Sequence, residues 1–576
     1  MKRITKASLA TITMSSALAM LVAGCGTTQN TGASNSSSTP PATSGTPVNG
    51  GTITIGQSTK FDDQFIPDMD ASLYTANIAA YSFDSLLATD KNLNFIPWLA
   101  KSWDWSSDKK TLTIHLQPNA NWSDGQPITS DDVLFTINYL ASKTYNTTLQ
   151  GQYEYLVDPI VGSSRIMNGK ATSFANTGGF KRIDDKTFSL TFKNVDAAVL
   201  WSDISAIQPI PEHILKSIPM KDWGTSSYNK QPNVVSGPYV FSKVTGSDTV
   251  QMTANPNYWA GKPHIDNVVW KTVNPDVAPG LLKDGSIDLL LSGIKPADVS
   301  KLKLIPNVSV VTTPEMGFTY LGLKLYQKEF QNVKVRQAFE YALDRKTMIS
   351  GILKGYGQPI NGPLPSISWA AATTADGMNS YDYNVAQANK LLDEAGWTKG
   401  SDGKRIDPVT GKTANITLDY SSGSPTVEQE ALAIKQYLGA VGVQVTLNTP
   451  LDFNTLAKKV ENDDKNLYMW LMAWSLGTDP DPRGLWDSTD AMNFPRWKDP
   501  HNDQLIKATW DAAAFDKNVR KQAFIQWQLY VNKNLPYVFL WEPDNIFAVN
   551  KRVHIPTDDW NPYGPFNVQQ WWVTQS

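Results

Sequence analysis

The sequence predicts an α/β protein made of more than one lobe, and three observations carry that expectation. A polar segment ends near Gly50, and the 526 of 576 residues that follow it are too many for one hydrophobic core. Short runs that alternate apolar and polar residues occur in the first half, which is typical of strands. The second half contains a strand, a helix and a strand between residues 416 and 447.

In the first half, the alternating runs predict strands at 52–55, 112–116 and 188–192. A helix is predicted to begin between the last two, at Asp131. Thr129 or Ser130 can cap it, and two aspartates place negative charge in its first turn. This half is therefore expected to be mixed and rich in strands.

In the second half, apolar residues at helical spacing predict helices over 335–343 and 385–395. Strands are predicted at 416–418 and 443–447. The helix between them begins at Ser424–Pro425, and its apolar stripe is Leu432, Ile434, Leu438 and Val441. Because the connection passes through a helix, the two strands are expected to be parallel.

The N-terminus has the layout of a secretory signal peptide, in which a basic stub precedes an apolar run over 7–22. Cys25 is the single cysteine and follows Val-Ala-Gly. This resembles the lipobox of bacterial lipoproteins and implies that Cys25 is lipidated and becomes the first mature residue. The alternative is an ordinary cleaved signal with an incidental cysteine. Residues 26–50 are uncharged and rich in Ser, Thr, Gly and Pro, so a flexible linker is expected.

The composition argues against a nucleic-acid partner and for a roomy binding site. With 51 basic and 54 acidic residues the net charge is −3, and removal of the three basic residues of the signal gives −3 − 3 = −6. Nucleic-acid binding needs a basic face. The chain has 20 Trp, 21 Tyr and 20 Phe, which suit either a large ligand cavity or the core.

Motifs of enzymes and metal sites are missing from the sequence. It has no His-Glu-x-x-His, no Gly-x-Ser-x-Gly and no dinucleotide-binding glycine pattern. The five histidines are scattered, with no pair at metal-ligand spacing. We therefore expect no catalytic residues, no metal and no cofactor.

Eight short motifs follow one another along the chain, at 97–103, 121–133, 210–215, 236–239, 255–259, 284–288, 335–345 and 391–397. The most specific runs from Asn121 to Val133 and contains the turn Asp124–Gly125. The series resembles the family 5 extracellular solute-binding proteins, which are the peptide, dipeptide and nickel receptors of ATP-driven (ABC) importers.

The resemblance implies a periplasmic-binding-protein-like α/β fold with two lobes joined by a hinge and an additional accessory α+β lobe. The implied divisions are a signal peptide (1–24), a lipidated cysteine and linker (25–50), lobe I (51–88, 205–313 and 546–576), an accessory lobe (89–204) and lobe II (314–545). Binding is expected to occur by closure of the lobes around the ligand.

The implied ligand contacts centre on the segment after Trp474. In dipeptide and enteric oligopeptide receptors, the third residue after the matching tryptophan is an aspartate that pairs with the peptide α-ammonium. Gly477 stands there in this chain, so Asp479 is the predicted ammonium partner, with Asp481 as the second candidate. The alternative is that 479–482 is only a rigid turn. The predicted aromatic walls are Trp474, Tyr320, Trp369 and Trp486.

Together these expectations predict an oligopeptide-binding lipoprotein of the Gram-positive type. It would be monomeric, lie outside the cell membrane on a lipid anchor, and deliver peptides to the permease subunits of an ABC transporter. The same fold with an oligosaccharide as cargo is the alternative, and a nickel chelate is less favoured because it does not explain so many aromatic residues. A secreted hydrolase or an adhesive surface lipoprotein is the remaining alternative class.

Overall fold

A computed structural model describes residues 45–70 and 72–574. The predicted signal peptide, the lipidation site Cys25 and most of the linker lie outside these residues. The strands are β1 (Thr52–Gln57), β2 (Leu87–Thr89), β3 (Phe95–Pro97), β4 (Ala100–Trp105), β5 (Thr111–Leu116), β6 (Phe180–Arg182), β7 (Thr187–Thr191), β8 (Tyr239–Thr245), β9 (Thr249–Ala254), β10 (Asn267–Thr272), β11 (Leu289–Leu290), β12 (Val308–Pro314), β13 (Gly317–Leu323), β14 (Gly357–Pro359), β15 (Asn415–Asp419), β16 (Gln444–Leu447), β17 (Met469–Ser475), β18 (Tyr537–Asn550), β19 (Val553–His554), β20 (Trp560–Asn561), β21 (Gly564–Pro565) and β22 (Trp572–Val573).

The α-helices are α1 (Leu73–Ala79), α2 (Ser130–Ala141), α3 (Lys143–Thr147), α4 (Ser163–Met167), α5 (Val199–Ser202), α6 (Glu212–Leu215), α7 (Ser227–Lys230), α8 (Ala278–Lys283), α9 (Val299–Lys303), α10 (Lys328–Gln331), α11 (Val333–Ala342), α12 (Arg345–Ile352), α13 (Val385–Glu394), α14 (Pro425–Ala440), α15 (Phe453–Glu461), α16 (Pro500–Ala508) and α17 (Lys517–Asn534). Within the described ranges, no helix has the length and apolar character that a membrane span requires.

One large sheet runs through both halves of the molecule, in the order β16-β15-β17-β13-β18-β11-β1-β10-β9-β8. β18 belongs to both halves, because its first part pairs with β13 and its second part pairs with β12. The chain crosses between the halves at two places, between β12 and β13 and in the middle of β18. These two crossings form a hinge between lobe I, built on β1 and β8 to β12, and lobe II, built on β13 to β17.

A second, antiparallel sheet with the order β4-β5-β7-β6 forms the accessory lobe. Helix α2 packs in its core, and Thr129 and Asp132 form the capping box at the N-terminus of this helix. The same core includes Ile66 and residues from Ile207 to Val235, which the predicted boundaries assign to lobe I. The accessory lobe is therefore packed continuously with lobe I, and the boundaries themselves stay a prediction.

Lobe II contains the predicted strand–helix–strand unit. β15 and β16 are parallel, with Ile416 opposite Val445, and α14 connects them. The Ser424 hydroxyl accepts the Val427 backbone N–H at 3.4 Å, which caps the helix as predicted. One member of the predicted stripe is wrong, since Leu432 is 57 % exposed while Ile434 and Leu438 are buried.

Candidate ligand-binding cleft

The carboxyl ends of strands from both lobes point toward the hinge. In lobe I, β1, β10 and β11 are parallel to one another. Their direction is fixed by β11, which runs antiparallel to the hinge strand β18. In lobe II, the last residue of β17, Ser475, pairs with Gly317 beside the hinge. β15 runs parallel to β17. The loops after these strands therefore face the crossings between the lobes, which is the usual position of ligand sites in α/β sheets.

On the lobe I side, the loop after β1 carries a buried carboxylate. Ser58 and Ser292 join this loop to the one after β11 by a hydroxyl–hydroxyl contact of 3.1 Å. Asp68 lies further along, with φ of 61°, and its backbone carbonyl accepts the Tyr145 hydroxyl at 2.7 Å. Burial raises the pKa of the Asp68 carboxyl to about 7. Within residues 45–70 and 72–574, the Asp68 Oδ2 atom is buried and has no hydrogen-bond partner.

Two further carboxylates lie at the hinge itself. Glu315 stands between β12 and β13, and its backbone N–H donates to the Pro543 carbonyl at 2.8 Å. Burial raises its pKa to about 7. Asp544 lies opposite Pro314, and burial, followed by repulsion from Glu542, raises the pKa of Asp544 to about 6. A positive charge placed beside such a carboxyl stabilises its ionised form and lowers its pKa.

On the lobe II side, Asp479 is already paired. Its two carboxylate oxygens accept from Nη1 and Nη2 of Arg520, each at 2.7 Å, and the side chains are 3 % and 4 % exposed. Burial raises the pKa of Asp479, and the attraction of Arg520 opposes that shift without cancelling it. The role of Asp479 as ammonium partner stays a prediction. Arg520 would have to share or release the carboxylate for a ligand ammonium to bind there.

Asp481 is paired as well. The Arg483 Nε lies 3.0 Å and 2.9 Å from its two oxygens, and the arginine also reaches Asp196 of the accessory lobe, with Nη1 at 2.6 Å. The Asp481 backbone N–H donates to the Asp479 carboxylate at 3.1 Å. Both predicted carboxylates therefore hold the turn over 479–483. This arrangement agrees with the alternative interpretation of the segment as a rigid turn.

The predicted aromatic walls belong to one hydrophobic core of lobe II. Tyr320 is fully buried and stacks on Trp474, whose ring also stacks on Phe494. Trp486 is 3 % exposed, with its ring edge-on to that of Tyr537. Trp369 is partly buried against Phe524. The structure brings these residues into one aromatic cluster, and of the four predicted walls only Trp369 is not fully buried.

Sequence reasoning missed the arginines that dominate this region. Arg483 and Arg520 follow the Asp-Pro-Asp-Pro segment by one and by 38 positions, and nothing in the linear spacing indicates that they meet its carboxylates. Asp196 is 287 residues from its partner Arg483. In the part of the chain that the structure describes, no group of three or more His, Cys, Asp or Glu side chains is arranged to hold a metal ion.

Comparison with protein families gives one match that covers most of the chain. The model of the bacterial extracellular solute-binding proteins, family 5 (middle), matches residues 94–494. The oligopeptide-binding protein AppA of Bacillus subtilis is 26 % identical over 581 residues, which are 99 % of both chains. The oligopeptide-binding protein OppA of Lactococcus lactis is 25 % identical and covers 87 % of this chain and 85 % of its own.

Solved structures share the fold. Bacillus subtilis AppA in complex with a nonapeptide superposes with a TM-score of 0.70 at 24 % identity, covering 92 % of this chain and 100 % of AppA. NikZ from Campylobacter jejuni in complex with Ni(L-His) gives a TM-score of 0.67 at 23 % identity, covering 90 % and 99 %. These neighbours confirm the predicted two-lobed fold, and they bind cargo as different as a peptide and a metal chelate.

Proposed function

The chain belongs to the bacterial extracellular solute-binding proteins of family 5, and on that premise we propose that it is a receptor that captures oligopeptides and delivers them to an ABC importer. The observation that carries the proposal is the match to oligopeptide-binding AppA, which covers 99 % of both chains. A solute receptor needs no catalytic residues, and we assign none.

The cleft suits an extended peptide. The loops after β1 and β11 in lobe I and after β15 and β17 in lobe II follow strand ends that face the hinge, and we propose that backbone N–H and C=O groups of these loops contact the ligand. Such groups can bind a peptide main chain whatever its side chains are, while water fills the side-chain pockets. Hinge closure brings the second set of loops onto the ligand, so binding and closure are one equilibrium.

Binding of defined ligands to the full chain with Cys25→Ser tests the cargo. Calorimetry would compare peptides, a maltooligosaccharide and Ni(II)–histidine. We choose peptides of roughly four to nine residues, each residue of an extended chain adding roughly 3.3 Å. We expect saturable binding of peptides only. Binding of the sugar or of the nickel complex without peptide binding would replace the proposed cargo and leave the family unchanged.

For the ammonium, we keep Asp479 as the proposed partner and Asp481 as the second candidate. Asp479→Asn and wild type would each be tested against a peptide and its N-acetylated form. If Asp479 binds the ammonium, the substitution weakens the unmodified peptide by about tenfold or more and barely affects the acetylated one. Equal losses for both peptides would reject this role. The carboxylates at the hinge, Glu315 and Asp544, would then be the next candidates.

We also propose that the protein is anchored outside the membrane through a lipid on Cys25, acts as a monomer and docks on the permease subunits of its transporter. The signal-like N-terminus, the single cysteine and the polar linker support the anchor. A diacylated cysteine provides the two chains that stable attachment needs.

A further inference from the structure

Within residues 45–70 and 72–574, the ion pair of Arg483 and Asp196 joins lobe II to the accessory lobe. Arg483 of lobe II donates from Nη1 to one Asp196 oxygen at 2.6 Å and from Nη2 to the other at 3.2 Å. The Asp196 side chain is 12 % exposed and that of Arg483 is 32 % exposed. The pair is thus partly buried. Solvent and salt screen a partly buried ion pair less than one on the surface.

Both partners are held in position by their own lobe. Asp481 binds the Arg483 guanidinium from the lobe II side. The Asp196 carboxylate accepts the Ala198 backbone N–H at 2.9 Å on the accessory side. Because each group is fixed before the lobes meet, little side-chain entropy is lost when the contact forms.

Weaker contacts surround the ion pair. The Ala197 backbone N–H donates to the Trp510 carbonyl at 2.8 Å, and the Arg483 guanidinium lies 4.8 Å from the centre of the Trp510 ring. Trp105 of β4 meets Phe515 edge-on with ring centroids 5.0 Å apart. The Ala197 and Trp105 contacts join the accessory lobe to Trp510 and Phe515 of lobe II, and the Trp510 ring holds Arg483 from within lobe II.

We propose that Arg483 and Asp196 form a latch that stabilises the closed cleft without touching the ligand. The accessory lobe shares its core with lobe I, so it moves with lobe I when the hinge opens. The Arg483–Asp196 contact must then break in every opening event. Its free energy therefore adds to the closed state whether or not a ligand is present, and it lowers the rate of opening. The latch does not require the ligand to be a peptide.

A distance measurement between the two bodies tests the latch. Ile183 of the accessory lobe and Leu432 of lobe II are 51 % and 57 % exposed, so Ile183→Cys and Leu432→Cys provide two label sites. With Cys25→Ser, these are the only cysteines of the full chain. Pulsed electron paramagnetic resonance on the ligand-free protein, prepared by unfolding and refolding, then gives the ratio of closed to open molecules.

We expect a closed population in the wild type and a decrease in the closed-to-open ratio of about tenfold in Asp196→Asn, since an amide can still accept from Ala198 but loses the ionic attraction. Arg483→Gln should have the same effect, and the double variant should be no worse than either single one. If Arg483→Gln fails to fold, Arg483→Lys is used in its place, because lysine keeps the charge but cannot hold both carboxylates.

The matched control is Asp104→Asn, which removes the same charge from the same lobe at a side chain that is 80 % exposed. It should leave the ratio unchanged. An unchanged ratio in Asp196→Asn, additive losses in the double variant, or a wild type without a closed population would each overturn the latch. None of these results bears on the cargo, which the calorimetry decides separately.

Discussion

The buried pair between Asp479 and Arg520 should be a main stabilising element of lobe II. Asp479→Ala would leave the guanidinium of Arg520, which is 4 % exposed, without its carboxylate. Breaking a buried pair by removing one partner costs about 3–5 kcal/mol. We expect the lower end of that range, because Arg520 keeps its Nε hydrogen bond to the Thr509 carbonyl at 2.8 Å and its contact with the Phe524 ring.

Thermal unfolding of the ligand-free protein measures this loss. For a unit of the size of lobe II, 1 kcal/mol corresponds to roughly 3 °C, so a loss of about 3 kcal/mol should lower the midpoint of the lobe II transition by about 9 °C. The double variant Asp479→Leu with Arg520→Met should recover most of the loss, because two apolar side chains leave no buried charge.

The exposed pair of Lys346 and Asp382, with side chains 77 % and 68 % exposed, supplies the control. Lys346→Ala should leave the midpoint within the error of the measurement, since surface pairs contribute little. A midpoint for Asp479→Ala that matches the control would refute the structural role of the pair. So would a double variant that is as unstable as the sum of its single substitutions.

Three further predictions follow from single residues. Cys25→Ser should move the protein from the membrane fraction to the medium with its ligand binding intact, and retention in the membrane would reject the lipid anchor. Burial raises the pKa of Glu430, which is 4 % exposed, from 4.5 to about 8. The contribution of Glu430 to stability is therefore full below pH 4.5 and is lost as the pH rises through 8. Glu430→Gln should raise the midpoint of thermal unfolding at pH 8 and not at pH 4.5. An equal gain at both pH values would contradict this. Gly237→Ala should destabilise lobe I, because the added Cβ would lie 2.6 Å from the backbone carbonyl carbon of Ser82. The control is Gly280→Ala in α8, where an added Cβ has no atom within 4 Å, and it should be neutral or stabilising in the same thermal unfolding experiments.

Local patterns predicted the elements well where one face of an element is buried. The strands 52–55, 112–116 and 188–192 and the unit β15-α14-β16 follow from hydrophobic periodicity and capping residues. Leu432 fits the same stripe, yet it is exposed while its neighbour Glu430 is buried. Hydrophobic periodicity identifies the helix, but it does not determine which individual residues at the edge of the apolar face are buried.

The candidate site was less accessible to sequence reasoning, because two of its ion pairs, Asp479–Arg520 and Asp196–Arg483, join residues that are 41 and 287 positions apart. Asp479 and Asp481 are recognisable as a charged turn, but the cations that neutralise them come from α17 and from the turn itself. The aromatic residues were expected as cavity walls; in the structure Tyr320 stacks on Trp474, and Trp486 meets Tyr537 of β18 edge-on. Burial of large rings stabilises a sheet whether or not a ligand lies above them, so composition alone does not separate the two uses.

The position of the hinge follows from proline in both crossing strands. Pro314 ends β12 opposite Asp544, and Pro543 lies in β18 opposite Gly357. Neither proline can donate a backbone hydrogen bond, so the ladder is weakest where the strands pass between the lobes. β13 and β18 also shift register between Thr319 and Tyr320, on the lobe II side of the same point. The sheet can therefore bend at the crossings while the ladders of each lobe stay intact, and closure as two rigid bodies needs no other change in secondary structure.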